Sequence, residues 1–355
     1  MLLNTIFKSS SIKDIFWLYK IISKKSKVKL FKLIILMICC AIAEVISITA
    51  VVPFLALLIN SNQITEFKII EYLMGLLKIS NPILIAGLIL IVTNIFTPFL
   101  RLYNLKKGGL ITAEIGSELS YMLYKVNLNQ QYSEYIKSNS GSLISAANLD
   151  IGRVVLILSS INNIITGFFI SLFIISNLIF VNSKIAISSI FIFGGCYVFI
   201  SFLTKKKLSR NSKIVAECSV RQVNLIQEIF GSIREVLLYQ YQDIYLQDYI
   251  KVDKPMRKLG AENIFLASFP KFILESTGLI FITLIAIIFT SNDQNVDSIL
   301  PILGIFAISA QRILPSFQQI YVGWANIRGN QANLQRVKLL INKKTLKFRE
   351  LRKIK

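Results

Sequence analysis

Apolar residues gather into six stretches, at about 33–59, 83–103, 154–181, 185–203, 269–290 and 299–324. Each reaches the roughly 20 residues that a helix needs to cross a hydrocarbon core about 30 Å thick. The pattern predicts an all-α membrane protein with six transmembrane helices. Pro53, Pro98 and Pro315 fall inside these stretches, where a proline is tolerated but kinks the helix. The first stretch contains Ala41-Ile42-Ala43, which resembles a signal cleavage site, but its apolar run continues to Ile59. A signal core is only about 7–15 residues long, so the stretch reads as an uncleaved span.

The intervals between spans are unequal. Those at 60–82, 182–184 and 291–298 are short, whereas those on the other side, at 104–153 and 204–268, are long and helix-forming. Unstructured loops of that length are uncommon in compact proteins. Spans two to five are therefore expected to run on as continuous helices and to reverse far from the bilayer. A 25-residue arm reaches about 35 Å at 1.5 Å per residue. One expected reversal follows Tyr132, Glu134 and Tyr135, where Ser138-Asn139-Ser140-Gly141-Ser142 breaks the helix. The other leads from Gly231-Ser232 into Tyr239, Tyr241, Asp243 and Tyr245. These tyrosine-rich patches suit either packing within the chain or docking of a cytoplasmic partner.

The chain is 54% hydrophobic and 17% charged, yet its net charge is +21. Charge and grease are segregated. Thirty-seven of the 40 Lys and Arg residues lie in 1–32, 101–153, 204–271 and the stretch from Arg312 onward; only Lys68, Lys78 and Lys184 lie in the alternate intervals. Basic intervals stay in the cytoplasm, so a multi-pass protein of the plasma (inner) membrane with both termini cytoplasmic is expected. Charges that flank spans do not build a nucleic-acid groove, and no nucleic-acid partner is expected. Histidine is absent, and Cys39, Cys40, Cys196 and Cys218 are irregularly spaced. This excludes histidine-dependent triads and His-based metal sites, and no catalytic or metal-binding residue is assigned.

Three domains of behaviour follow: an amphipathic segment at 1–29, a six-helix domain at 30–325 and a basic tail at 326–355. In the first, Ser11-Ile12-Lys13-Asp14 has capping-box spacing. Ile12, Ile15, Phe16, Tyr19 and Ile22 share one helical face, with Lys13, Lys20 and Lys24 away from it. Such a helix lies in the membrane interface. A second amphipathic helix is expected outside, near 65–79, with Phe67, Ile70, Leu73, Met74 and Leu77 on its apolar face. It would engage a substrate's lipid tail or pack on the spans.

Ionisable groups inside spans are costly and mark candidate sites. Glu44, Glu275 and Arg312 lie in spans one, five and six, Arg101 at the inner end of span two, and Lys271 near the start of span five. Arginine matches phosphate bidentately. Arg101 and Arg312 are expected to line an inner cavity and attract an anionic head group, with Glu44 and Glu275 as further cavity residues. The structural alternative pairs Arg312 with Glu44 or Glu275.

Six spans, a basic amphipathic leader, short outer loops and two long inner hairpins together resemble the transmembrane domain of ATP-binding-cassette exporters. Ser140-Gly141-Ser142-Leu143-Ile144-Ser145 with Asp150 and Val154, and Gly231-Ser232-Ile233-Arg234-Glu235-Val236 with Tyr245 and Tyr249, are similar to stretches that follow or surround the family's two coupling helices. The tone of the second most resembles bacterial flippases of lipid-linked oligosaccharides. The resemblance implies a dimer, with a second copy or a related chain, in which spans four and five reach over the partner. It also implies contact of the tyrosine-bearing reversals with a nucleotide-binding ATPase, and it names the leader an elbow helix. A phosphate loop needs Gly-x-x-x-x-Gly-Lys-Ser/Thr, but no Gly-Lys pair occurs. This chain is thus expected to be no enzyme and to hold no cofactor, with ATP and magnesium on a partner ATPase.

The expected function is the membrane subunit of an ATP-driven exporter or flippase that moves an amphipathic substrate by alternating access. A non-transporting remnant or interaction protein is the alternative. A secondary transporter or channel would show internal repeats or rings of ionisable pore residues, and neither is evident.

Overall fold

The computed structural model describes residues 10–59, 71–72, 74–75, 81–129, 132, 144–181, 183, 187, 190–291 and 296–351. Among them there is no strand. Ser10–Ile21 forms α1, Lys24–Thr49 forms α2 and Val51–Ile59 forms α3. The break between α2 and α3 falls at Ala50, where Pro53, lacking an N–H, cannot bond back to the Thr49 carbonyl. Pro82–Leu128 forms α4, a single helix of 47 residues. After a π-helical turn at Ala146–Asp150, α5 spans Ile151–Val181. Gly195–Gly231 forms α6, Ile233–Leu238 the short α7 and Gln242–Ser291 the 50-residue α8. Val296–Gly329 forms α9, and Gln331–Leu351 forms α10.

Three helical stretches are long and apolar enough to cross a membrane: Lys24–Leu58, Pro82–Leu128 and Ala146–Phe180. The described residues are thus almost entirely helical, and the protein has the makings of an integral membrane protein. The expected spans at 269–290 and 299–324 lie within α8 and α9, and the one at 185–203 begins on undescribed residues and continues into α6. A helix of 47 residues is about 70 Å long, more than twice the hydrocarbon thickness. Helix α4 passes without a break from the apolar stretch at 83–103 into the basic region beyond it. Helix α8 does the same in reverse.

Helix α5 lies between α2 and α9, and α4 packs on α2 and α5. The α6–α8 hairpin attaches to this group chiefly through α9. Helices α5 and α9 meet at reciprocal small residues. A Cβ on Gly167 would sit 2.6 Å from the Ser316 carbonyl oxygen, and one on Gly323 would sit 2.8 Å from the Ser160 carbonyl oxygen. Small residues let helix backbones approach where lipid gives no hydrophobic drive to associate.

One core is buried within the polar half of the molecule. Leu18 of α1 and Ile22 just past its end join Ile115, Leu119 and Leu123 of α4 there, together with Leu334, Val337 and Ile341 of α10. The expected apolar face of the leader is therefore split: Ile22 is buried and Ile15 half-buried, whereas Phe16 and Tyr19 are exposed, and Leu18, which was not assigned to that face, is buried. Helix α10, the expected basic tail, is bound into the same assembly. Lys338 pairs with buried Asp14 at 2.7 Å, Arg336 with fully buried Asp150 at 3.2 Å, and Asn333 donates to Asp150 at 2.7 Å.

The second arm is zipped by polar groups. Asn211 of α6 donates to Glu262 and Asn263 of α8, and Gln222 donates to Tyr249 and Asp253. Lys207 also pairs with Glu262 at 2.5 Å. Such contacts favour an aqueous setting for these halves of the helices.

Candidate functional site

Glu44 projects from the C-terminal part of α2 and is almost fully buried. An isolated carboxylate there would cost several kcal/mol, but two guanidinium groups meet it. Arg101 of α4 donates from Nη1 to one carboxylate oxygen at 2.9 Å, and Arg312 of α9 forms a very short contact with the other. Arg312 also donates from Nη2 to Ser47 Oγ at 3.1 Å and to Asn94 Oδ1 at 2.6 Å. Three helices are thus fastened by one carboxylate, and two cations around one anion leave a local charge of +1.

This cluster forms a wall of an open cavity of about 810 Å³ between α2, α3, α4 and α9. Apolar side chains, including Val51, Phe54, Leu55, Leu90 and Leu102, make most of the remaining wall. Ligand cavities of several hundred Å³ with an apolar lining and a few fixed polar groups suit small or extended organic ligands. Arg101 and Arg312 both line this cavity and Arg312 also pairs with Glu44, because one carboxylate organises both arginines without removing them from the cavity wall.

Glu275 is not brought to this cavity. It lies exposed on α8, with Lys271 one helical turn away at 3.8 Å. The i,i+4 spacing gives it a partner on its own helix.

A second cavity, of about 300 Å³, adjoins the first and shares Arg101 and Leu102 with it. Its wall is rich in uncharged polar groups, among them Asn104, Ser159, Asn162, Thr166 and Gln319. The sequence reading overlooked these residues because none is ionisable. Their signal was the density of amide and hydroxyl side chains at one depth on α4, α5 and α9.

Of the residues expected to couple to an ATPase, only some are described. Tyr132 is exposed, and Glu134 and Tyr135 lie outside the described residues. In the second arm, α7 is a single short helix set between α6 and α8. Buried Val236 anchors it, and Leu237, Leu238, Tyr239 and Tyr241 are exposed. Gln240 adopts a left-handed φ of 56°, and Tyr241 N–H donates to the Val236 carbonyl at 3.0 Å. This is the hydrogen bond of a Schellman-type helix end, and it brings the rings of Tyr239 and Tyr241 into a stack at 5.7 Å. Asp243 is exposed in the first turn of α8, and Tyr245, two residues on, is half-buried.

Of the expected external helix, Phe67, Ile70, Leu73 and Leu77 lie outside the described residues. Met74 is half-buried and packs on Leu57, Ile85 and Ala86 where the end of α3 meets the start of α4. That contact favours packing on the spans for this residue. Among the described residues, no group of three or more Cys, Asp and Glu residues could hold a metal ion.

No protein-family model matches the chain.

Proposed function

We propose that this chain is the membrane-spanning component of an ATP-driven exporter or flippase, built on six spans in the manner of ATP-binding-cassette exporters. It moves an amphipathic substrate by alternating access, and nucleotide hydrolysis occurs on an ATPase outside the 355 residues. The carrying observation is the pair of helical arms. Helices α4 and α8 each run unbroken from an apolar half into a polar half, and the second arm ends in the short α7 with exposed leucine and tyrosine side chains. A rigid rod transmits displacement between a cytoplasmic engine and the bilayer, whereas a flexible loop would absorb it.

Two further features support this reading. The cavity at Glu44, Arg101 and Arg312 is mostly apolar with a net positive centre, which suits an amphipathic anion. The α6–α8 hairpin packs chiefly on α9, leaving large apolar side chains such as Phe199, Phe202, Phe265 and Phe272 exposed to lipid or a second copy.

The test is ATP-dependent movement of the arms. Cysteines placed at Leu128 and Leu246 in a variant lacking the four native cysteines would carry spin labels. In vesicles of the native host's membranes, ATP with vanadate should change the distance distribution between labels by several Å. Identical distributions with and without nucleotide, in membranes where the tagged chain co-purifies with ATPase activity, would refute an ATP-driven cycle.

A further inference from the structure

Apolar and basic side chains meet in an open groove of about 390 Å³ between α2 and α4. It shares no lining residue with the Glu44 cavity or with its smaller neighbour. The two helices run antiparallel, with Lys29 paired to Glu114 and Glu44 to Arg101. Along α2 the groove extends from Lys29 to Leu36, across the start of the first expected span at residue 33. Along α4 it extends from Tyr103, where the second expected span ends, to Glu114. At 1.5 Å per residue these stretches cover about 10 and 16 Å. The groove thus sits where both expected spans leave the hydrocarbon, on the side of their basic ends.

Its floor is apolar. Leu33 is buried, Leu36 and Ile111 are half-buried, and Leu110 is exposed. Its charge comes from three lysines and one glutamate. Lys29 pairs with Glu114, the one carboxylate among the described lining residues. Lys32 and Lys107 remain as exposed ammonium groups with no carboxylate partner among the described residues. Lys107 Nζ lies 5.4 Å from the centroid of the Tyr103 ring. That attraction holds a cation at the level where the span ends, and the Tyr103 hydroxyl adds a hydrogen-bond donor.

We infer that this groove binds an anionic membrane phospholipid, a resident lipid and not cargo, drawn from the leaflet at the basic ends of the helices. Its phosphate lies between Lys32 and Lys107, and its acyl chains lie on Leu33 and Leu36. Charge complementarity selects this occupant. A zwitterionic head would bring a cation of its own to two unpaired ammonium groups, and a soluble phosphate would leave the apolar floor uncovered. Basic pockets between spans are suited to anionic head groups. Lysine fits the task because its stem covers apolar surface while its ammonium reaches the head-group level. The inference is independent of the transport reading, since it concerns how α2 and α4 meet the bilayer and not what the protein moves.

The test is native mass spectrometry of the full chain, released from neutral detergent after titration with phosphatidylglycerol or with phosphatidylcholine of the same acyl chains. The first phosphatidylglycerol should bind about tenfold more tightly than the first phosphatidylcholine. Lys32→Gln with Lys107→Gln should cut that preference to less than about threefold. Lys25→Gln with Lys106→Gln removes the same charge from exposed positions outside the groove, and should leave the preference intact. Equal loss in the two double variants would reduce the effect to general attraction by a basic surface and overturn the site. Equal affinity of the native chain for the two lipids would overturn it as well. Glycerol phosphate in large excess should not displace phosphatidylglycerol; displacement would overturn the lipid and assign the groove to a soluble phosphate.

Discussion

Gly167 of α5 lies against the main-chain oxygen of Ser316 on α9, so close that an added Cβ would stand 2.6 Å from it. Seven residues along each helix, Gly323 meets Ser160 in the reciprocal arrangement. The antiparallel pair is thus fixed in depth at two points. Replacing Gly167 by alanine should force the helices apart and lower stability by about 1–3 kcal/mol, the usual cost of overpacking. A thermal melt in detergent would register this as a reduced Tm. Gly109→Ala, at a position with open space, should leave the Tm unchanged or raise it. Equal Tm values for native and Gly167→Ala protein would show that the approach is not restrictive.

The Glu44 cluster is expected to be strongly non-additive. Glu44→Gln leaves the Arg312 and Arg101 guanidinium groups facing each other without their counter-charge. Breaking a buried pair on one side costs about 3–5 kcal/mol. Removing a partner as well, in Glu44→Gln with Arg312→Gln, should recover a large part of that loss. Folded yield and Tm of the two single variants and the double variant would test this, and additivity of the single effects would contradict it.

Acid sensitivity is expected where α4 meets the junction of α1 and α2. Partial burial would raise the Glu118 pKa, but hydrogen bonds from the Ser26 and Ser23 hydroxyls and the Ser23 N–H, with help from Lys29, outweigh it and hold the carboxyl below its ordinary value. Ser26 Oγ donates at 2.6 Å and Ser23 Oγ at 2.8 Å. A carboxyl whose folded pKa is depressed contributes stability above its unfolded pKa and loses it as the pH falls through the folded value. Stability should therefore decline as the pH drops below about 4.5, the ordinary glutamate value. Glu118→Gln should flatten that decline in a plot of Tm against pH. An unchanged acid limb would assign the loss to other carboxylates.

The tip of the second arm offers a separation of stability from coupling. Leu237 and Leu238 are exposed on α7, whereas Val236 is buried beneath them. Leu237→Ser with Leu238→Ser should change the Tm by less than about 0.5 kcal/mol equivalent, as expected for surface sites, yet abolish nucleotide-dependent movement of the arms. Val236→Ala should instead destabilise by about 1–2 kcal/mol through the cavity it leaves. Full nucleotide-dependent movement in the double serine variant would remove α7 from the coupling surface.

Much of the helical framework could be read from the chain alone. Segregation of apolar and basic residues predicted helices that outrun a bilayer, and α4 and α8 do so without interruption. The reversal near Gly231 and Tyr239 was legible because glycine and serine break a helix locally. The elbow was less legible. Its helical period was clear, but the buried stripe passes through Leu18 and Asp14 and leaves Phe16 and Tyr19 exposed. A helix with apolar residues on several sides does not reveal which side its neighbours will cover.

Hydrophobic period, span length and charge bias are properties of residues near one another in sequence, so the sequence by itself determined the helices, their approximate limits and the expected orientation. Which distant groups meet depends on helix rotation and depth, and those were settled only by packing. The α5–α9 contact at Gly167 and Gly323 sets one such depth. Tertiary structure thereby joined Glu44 to Arg101 and to Arg312, 57 and 268 residues away, and left Glu275 with its neighbour Lys271. It also brought Asn104 and Asn162 to one wall, a pairing invisible to any local pattern because neither residue carries charge or period.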